Sequence, residues 1–414
     1  MPTDIASFKI AIIGAGPAGL MAAQVLSNAG YAPMVFDAKP SAGRKFLQAG
    51  RGGLNLTHSE DFSIFSRRYF EAQTFLKPAL ENFTPTDIRL WAEELGFETF
   101  VGSSGKVYPL DKKAAPLLRT WLQQLKAKNT TFKMKHHWLG FSKDIWQFQT
   151  PNGEESYSFN AVILALGGAS WPHLGSTGSW TKILENKGLH IAPLKPANMG
   201  FTITWSTLFK EKFSGTPLKN VALSFTDAKG NYHSKLGELL VSAYGVEGSL
   251  IYTHSKLLRE KVEQESFTTI YLDLFPHRSE SKLEQQLSLP RGKKSLSAFW
   301  KRLGLSGIKA SLLREILGTE ALKDSALVAK TLKKFPLVLE SYRPIEDAIS
   351  TAGGLKFNNL NENLMLKNFP MVFCVGEMLD WEAPTGGYLL TAVMGQGKQA
   401  AEGLIKVLQS KGKR

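Results

Sequence analysis

IAIIGAGPAG at residues 10–19, followed by YAPMVFDA at residues 31–38, is the stretch on which the fold turns. Four apolar residues, Ile10 to Ile13, predict a buried strand. A tight turn follows, and Gly14, Gly16 and Gly19 open an amphipathic helix. Each glycine has its own physical task. Gly14 permits the turn, Gly16 lets backbone N–H groups approach a pyrophosphate, and Gly19 lets the helix lie close on the strand. Pro17 and Ala18 fall in the first turn, where unpaired N–H groups and the helix dipole favour negative charge. Asp37 stands 18 residues past Gly19, near the ~20-residue offset of an acid that hydrogen-bonds an adenosine ribose, with Ala38 beside it. A carboxylate there repels a 2′-phosphate, so FAD or NAD is expected rather than NADP.

The 414 residues allow about two or three domains with a substantial core. At 43% hydrophobic and 21% charged, the composition is that of an ordinary folded domain. No apolar run approaches the roughly 18 to 20 residues a bilayer-spanning helix needs. The opening MPTDIASFK predicts no signal peptide. A single cysteine excludes an intramolecular disulfide and a cysteine-built metal cluster, so a cytoplasmic setting without membrane association is expected. The histidines lack ligand spacing, and no metal is expected.

Net charge is +14, and +8 of it lies in residues 277–343, with fourteen Lys/Arg against six Asp/Glu. One reading is a solubilising basic surface. The other is a polyanionic partner such as RNA, bound electrostatically, because no sequence-reading RNA module is present.

Four blocks follow from texture. Residues 1–192 read as α/β, with helices near residues 85–95 and 116–127, a small hairpin, and another buried strand ending in glycines, AVILALGGAS, at 161–170. Residues 193–277 alternate in short segments and predict a β-rich insert. Residues 278–341 have helical spacing and a basic surface, and 342–414 return to strand, Gly-rich turn and long helix.

Three later segments point back to the first domain. GRKFLQAGRGGLNLTHSE (43–60) is a Gly-rich loop suited to lying along phosphates and a flat ring; Gly52 and Gly53 leave room. Arg44 and Lys45 suit phosphate or substrate, and Asn55 suits a ring edge. VILALGGASWPHLGSTG (162–178) is a hydrophobic strand, including Ala165, that breaks at Gly167–Gly168, where the chain passes near a dinucleotide. The third, residues 371–403, has a strand ending at Gly376 and Glu377, Asp380 within reach of a ribityl hydroxyl, and Gly386–Gly387 opening a long helix at Tyr388. Its N-terminus suits the ring region where charge accumulates on reduction. GQGKQA (395–400) matches GxGxxA but lies inside that helix and follows no strand, so it is not read as a second nucleotide site.

These segments together resemble the BaiN/RdsA-type (YhiN-like) flavoproteins over nearly the whole chain. The resemblance rests on GAGPAG, the 43–60 loop, LALGGASWPHLGSTG, GELLVSAYGVEGSLI and GEMLDWEAPTGGYLLTAVMGQG. It implies an α/β, Rossmann-like two-dinucleotide-binding FAD domain with an inserted β-barrel-like subdomain and a small helical subdomain. It also implies FAD at Gly14, Gly16, Gly19, Asp37, Gly167, Gly376, Glu377, Asp380, Gly386 and Gly387. Relatives are associated with reduction of conjugated C=C bonds in steroids, oxidation of a small amine, and dihydrouridine formation in ribosomal RNA. Many carry Cys-Asn where this chain has Leu54–Asn55, which removes a thiol from the expected chemistry.

Reduction of a conjugated C=C needs hydride at one carbon and a proton at the other. Tyr388, His58 and His173 are the candidate donors, against a lid role for Tyr388 and surface or packing roles for the histidines. Cys374 lies in an apolar strand and reads as inert core. The expectation is an FAD-dependent reductase, with NAD(P)H as transient electron donor and a ribosomal RNA uridine as first-choice substrate. A small amine or enone metabolite is the second reading, and a flavin-containing binding protein without turnover the third.

Overall fold

The computed structural model describes residues 8–411 and divides into two compact units. The first runs to Ala197 and resumes at Ile345; the second is Asn198–Pro344.

The first unit is built on a five-stranded parallel sheet. β1 (Ile10–Ile13) lies at its centre, flanked by β2 (Met34–Asp37) on one side and Ala161–Leu164 on the other. Val372–Cys374 and Thr131–Met134 complete the edges. β1 and Ala161–Leu164 are buried on both faces, which is why they read as uninterrupted apolar runs. Helix α1 (Pro17–Asn28) crosses from β1 to β2 and packs against the long C-terminal helix Tyr388–Lys411. Both expected helices are present, at Pro85–Glu94 and Ala114–Ala127; the first is closed by a Thr84–Asp87 capping box. The expected hairpin is a three-stranded meander, His137–Ser142, Ile145–Thr150 and Gly153–Ser158. Cys374 is fully buried in its strand, and its thiol is pushed upward in pKa by that burial.

The second unit is a seven-stranded, barrel-like antiparallel sheet with helices. Thr216–Thr226 and Tyr232–Ser242 form its long central hairpin. The β-rich and basic helical segments are one unit here. Phe335–Leu339, which follows the basic helices in sequence, pairs with Thr268–Asp273 of the same sheet. Its buried–exposed alternation is a five-residue period-2 signal, too short to stand out beside the helices before it. The strand Ile191–Ala197 goes the other way. It pairs with Ser350–Leu355 across more than 150 residues of sequence and belongs to the first unit. Among the described residues no helix is long and apolar enough to cross a membrane, and no cluster of His, Cys, Asp and Glu is arranged to hold a metal ion.

Candidate cofactor site

The three fingerprint glycines do three different things. Gly14 has φ +112°, and its N–H donates to the Phe36 carbonyl at 2.7 Å. A Cβ there would sit 2.1 Å from the Ala165 carbonyl oxygen. A Cβ on Gly19 would lie 2.0 Å from the Gly14 carbonyl oxygen, so α1 is pressed onto the turn. Gly16 is different: a Cβ there meets nothing within 4 Å. Gly16 is also the N-cap of α1 and supplies no side-chain cap. Gly16 therefore leaves the uncapped start of α1 open, the arrangement that accepts a phosphate. Asp37 ends β2, and its two carboxylate oxygens accept the N–H groups of Ala15 at 2.9 Å and Lys39 at 2.8 Å. Burial raises its pKa against these bonds and the nearby Arg44 and Lys39 charges. Ala38 beside it is exposed.

The 43–60 segment returns to this turn. The N–H of Gly43 donates to the Ala15 carbonyl at 2.9 Å and starts the short helix α2 (Arg44–Ala49). Arg44 keeps a buried Nε without a hydrogen-bond partner. Lys45 is committed internally: its ammonium donates to Glu377 at 2.7 Å and Ser170 at 2.8 Å. The other Glu377 oxygen accepts the Thr351 N–H at 2.9 Å, and Thr351 Oγ1 accepts the N–H groups of Ala169 and Ser170. Gly168 makes this possible, since a Cβ there would lie 2.2 Å from Thr351 Oγ1. One ion pair thus ties α2, the loop after Ala165 that includes Gly167, and the turn at Gly376 together. Asp380, half-buried, donates its N–H to the Leu355 carbonyl at 3.0 Å; burial raises its pKa.

Further along the loop, Gly52 is exposed with open space at its Cβ position, and Gly53 has φ +110°. Asn55 carries a buried Oδ1 with no partner. Thr57 and His58 form a short strand on which the C-terminal helix begins; a Cβ on Gly387 would lie 2.4 Å from the Thr57 Cα, and Thr391 bonds Thr57 through their hydroxyls at 2.9 Å. Gly386, at φ +140°, has its Cβ position against the Tyr388 ring. Tyr388 is buried, and its hydroxyl donates to Glu60 at 2.8 Å. Arg68 clamps both Glu60 oxygens, at 3.0 and 2.6 Å. Burial raises the Tyr388 pKa, and its bond to Glu60 adds to this. Burial alone would raise the Glu60 pKa, but the hydrogen bonds from Arg68 and Tyr388 outweigh it and hold the group below the usual carboxylate range.

His58 stacks on Tyr388 with ring centroids 5.5 Å apart. Its Nδ1 accepts the Glu60 N–H at 3.1 Å, and Nε2 lies 3.1 Å from the Ser104 carbonyl, so both nitrogens are engaged with backbone. Burial lowers its pKa, which agrees with a neutral ring. His173 is exposed on the 3₁₀ turn Pro172–Leu174. Tyr388 and His58 are thus brought together, while His173 lies on a separate exposed turn. Sequence reading missed Glu60 and Arg68 as partners of Tyr388. Glu60 closes the 43–60 motif and was legible there; Arg68 lies outside every motif.

The residues present fit FAD, because an open uncapped helix start, a buried lone acceptor (Asn55 Oδ1) and a buried lone donor (Arg44 Nε) border the same converging segments. Fold and site define an enzyme, an oxidoreductase of the Rossmann flavoprotein class. The chain belongs to the family described as HI0933-like protein Rossmann domain, which it matches over residues 8–403. It is similar to the ribosomal RNA dihydrouridine synthase of Escherichia coli K12, at 24% identity over 97% of this chain and 99% of that one. It is also similar to a 3-dehydro-bile acid delta(4,6)-reductase of Clostridium scindens, at 23% identity over 92% and 95%. The ribosomal RNA dihydrouridine synthase of Haemophilus influenzae is 25% identical over 91% of this chain and 93% of its own length.

Proposed function

We propose that this protein is a cytoplasmic FAD-dependent reductase of a conjugated C=C bond, with a uridine of ribosomal RNA as substrate and NAD(P)H as transient electron donor. The reading is carried by the convergence, inside one unit, of the α1 turn, the 43–60 loop, the loop after Ala165, the Gly376–Glu377 turn and the start of the C-terminal helix. The cofactor contacts in this reading are Gly14, Gly16, Pro17, Ala18, Gly19, Asp37, Ala38, Arg44, Lys45, Gly52, Gly53, Asn55, Ala165, Gly167, Gly168, Gly376, Glu377, Asp380, Gly386, Gly387 and Tyr388. When bound, FAD supplies two-electron chemistry, taking hydride from a nicotinamide and giving it to the activated alkene.

The protein's part is to bind, orient and manage a proton. The free N–H groups at α1 hold the pyrophosphate, and Asp37, already fixed by two backbone bonds, faces the ribose. Glycines 386 and 387 let the C-terminal helix begin flush against Thr57, aiming its N-terminus at the ring. Tyr388 keeps its proton because it is buried and because it bonds the ionised Glu60, which Arg68 holds in that state. In this reading Tyr388 is the proton donor, and His58, with both nitrogens engaged, sets the plane of the Tyr388 ring. Leu54 is buried in the core, so the position at which many relatives carry cysteine contributes packing here.

The RNA reading draws on the names of two relatives and on charge placement. Residues 285–314 carry seven Lys/Arg and no Asp/Glu. Arg291, Lys293, Lys294, Lys301 and Arg302 within that stretch are exposed. A second reading, a small enone substrate, is favoured by the charge balance at the site itself. Lys45 pairs with Glu377 and Arg68 with Glu60, so neither of these two cations is free to meet a polyanion. Mass spectrometry of ribosomal RNA from a deletion strain separates the two. Loss of one uridine that is two hydrogens heavier supports the first reading, and an unchanged profile supports the second. Protein that folds yet binds no added FAD overturns both.

A further inference from the structure

The GQG of residues 395–397, which matches a nucleotide fingerprint in the wrong place, has a different use in the structure. It lies in the C-terminal helix at a junction of three elements. A Cβ on Gly395 would sit 2.7 Å from the Ala79 carbonyl oxygen, and one on Gly397 would sit 2.2 Å from that of Ala18. The helix backbone is therefore flush with the first turn of α1 on one side and with Gln73–Asn82 on the other. Between these glycines, Gln396 is fully buried. Its Oε1 accepts the N–H of Gly376 at 2.8 Å. Gly376 has φ +83°, and its Cβ position lies 3.0 Å from the Ala18 Cβ. The Gln396 carbonyl thus ends at the Gly376 turn, which packs on Ala18 in the first turn of α1.

Its Nε2 is buried there without a hydrogen-bond partner. A buried amide that forgoes its bonds is costly, and such groups in folded proteins are satisfied by a ligand or an ordered water. The bond to Gly376 accounts for the carbonyl end of this side chain and gives the Nε2 end no task.

We infer that Gln396 is a positioning residue for the cofactor. Its carbonyl holds the Gly376 peptide in the left-handed conformation, and its free amide N–H donates to an oxygen of the bound dinucleotide, directly or through one ordered water. This rests on the FAD reading above. It adds a donor deep in the helix interior, beyond the residues that the strand-turn-helix motif itself provides.

Two variants test it, using the full chain stripped of flavin and titrated with FAD by fluorescence, with the melting temperature of the flavin-free protein measured alongside. Gln396→Met is expected to weaken FAD binding about tenfold or more, the scale of one hydrogen bond to a charged group. Its flavin-free melting temperature should also fall by about a few degrees, because the Gly376 N–H loses its acceptor, so the donor itself is tested by the variant that keeps that acceptor. Gln396→Glu keeps an acceptor for Gly376 but replaces the donor with an oxygen. Its FAD affinity should be weak at high pH and recover as the pH falls and the carboxyl takes up a proton, while the unsubstituted protein shows no such recovery. FAD affinity of Gln396→Met within about twofold of the parent, or a Gln396→Glu affinity that does not depend on pH relative to the parent, overturns the inference while leaving FAD binding intact. A parent protein that binds no FAD removes both.

Discussion

Gly14 and Gly16 are two residues apart and should respond differently to the same methyl group. At Gly14 a methyl meets the Ala165 carbonyl and the backbone is left-handed, so Gly14→Ala should cost roughly 3 kcal/mol or more in stability. At Gly16 the space is open and φ is −82°, so Gly16→Ala should fold with little change in melting temperature. It should nevertheless lose FAD affinity by about tenfold or more, because the methyl occupies the cradle. Thermal melts and FAD titrations of both variants check this. A Gly16→Ala protein with parental FAD affinity would place the phosphate elsewhere.

At the scale of elements, the Lys45–Glu377 pair joins helix α2 to the turn at Gly376, and Glu377 is largely buried while Lys45 keeps some exposure. Glu377→Ala leaves the ammonium and the Thr351 N–H without their acceptor, and should cost about 2–3 kcal/mol. Glu377→Gln keeps an acceptor for Thr351 and should cost about half that; chemical denaturation of both variants measures the difference. The second join is Tyr388 to Glu60. Tyr388→Phe should leave the fold and bound flavin in place and slow substrate reduction by about a hundredfold or more, with little effect on reduction of the flavin by NAD(P)H. Stopped-flow measurement of the two half-reactions distinguishes a proton donor from a lid, since loss of a lid alters both.

For the whole molecule, pH and salt are the informative variables. His254, in the second unit, has a buried Nε2 without a partner. Burial, with smaller contributions from Lys235 and His233, lowers its pKa to about 4. His233 is itself bonded to Asp227, Nε2 to Oδ2 at 2.8 Å. The unfolded chain therefore holds more protons than the folded one between pH ~6.5 and ~4, so stability should fall as pH is lowered through that window, by up to roughly 3 kcal/mol. His254→Phe should flatten this part of the stability–pH curve, as followed by urea unfolding at several pH values. Salt tests the basic stretch. If RNA docks on residues 285–314, replacing Arg291, Lys293 and Lys294 with alanine should reduce the slope of log affinity against log salt by about 2 to 3.

How much of this was legible beforehand depended on the range of the interaction. The strand, turn, helix and acid at residues 10–37 are local, and each glycine's task could be inferred from spacing because turn, cradle and packing fall at fixed offsets. The long C-terminal helix and the buried strand at 372–374 were legible for the same reason. Spacing suits Lys45 to phosphate or substrate, and gives no sign of its ion pair with Glu377, a partner 332 residues away. For His58 the residue type alone leaves proton donor and packing role both open; in the structure the backbone of Ser104 and Glu60 occupies both its nitrogens.

Sequence by itself determined the α/β class and the residues that open the dinucleotide turn, since these depend on periodicity and on conformations only glycine adopts easily. Tertiary structure alone decided which charges neutralise one another, that Ile191–Ala197 belongs with Ser350–Leu355, and that the Tyr388 hydroxyl donates a hydrogen bond to Glu60 under Arg68. Such pairings depend on distances across the fold, and linear spacing carries no record of them.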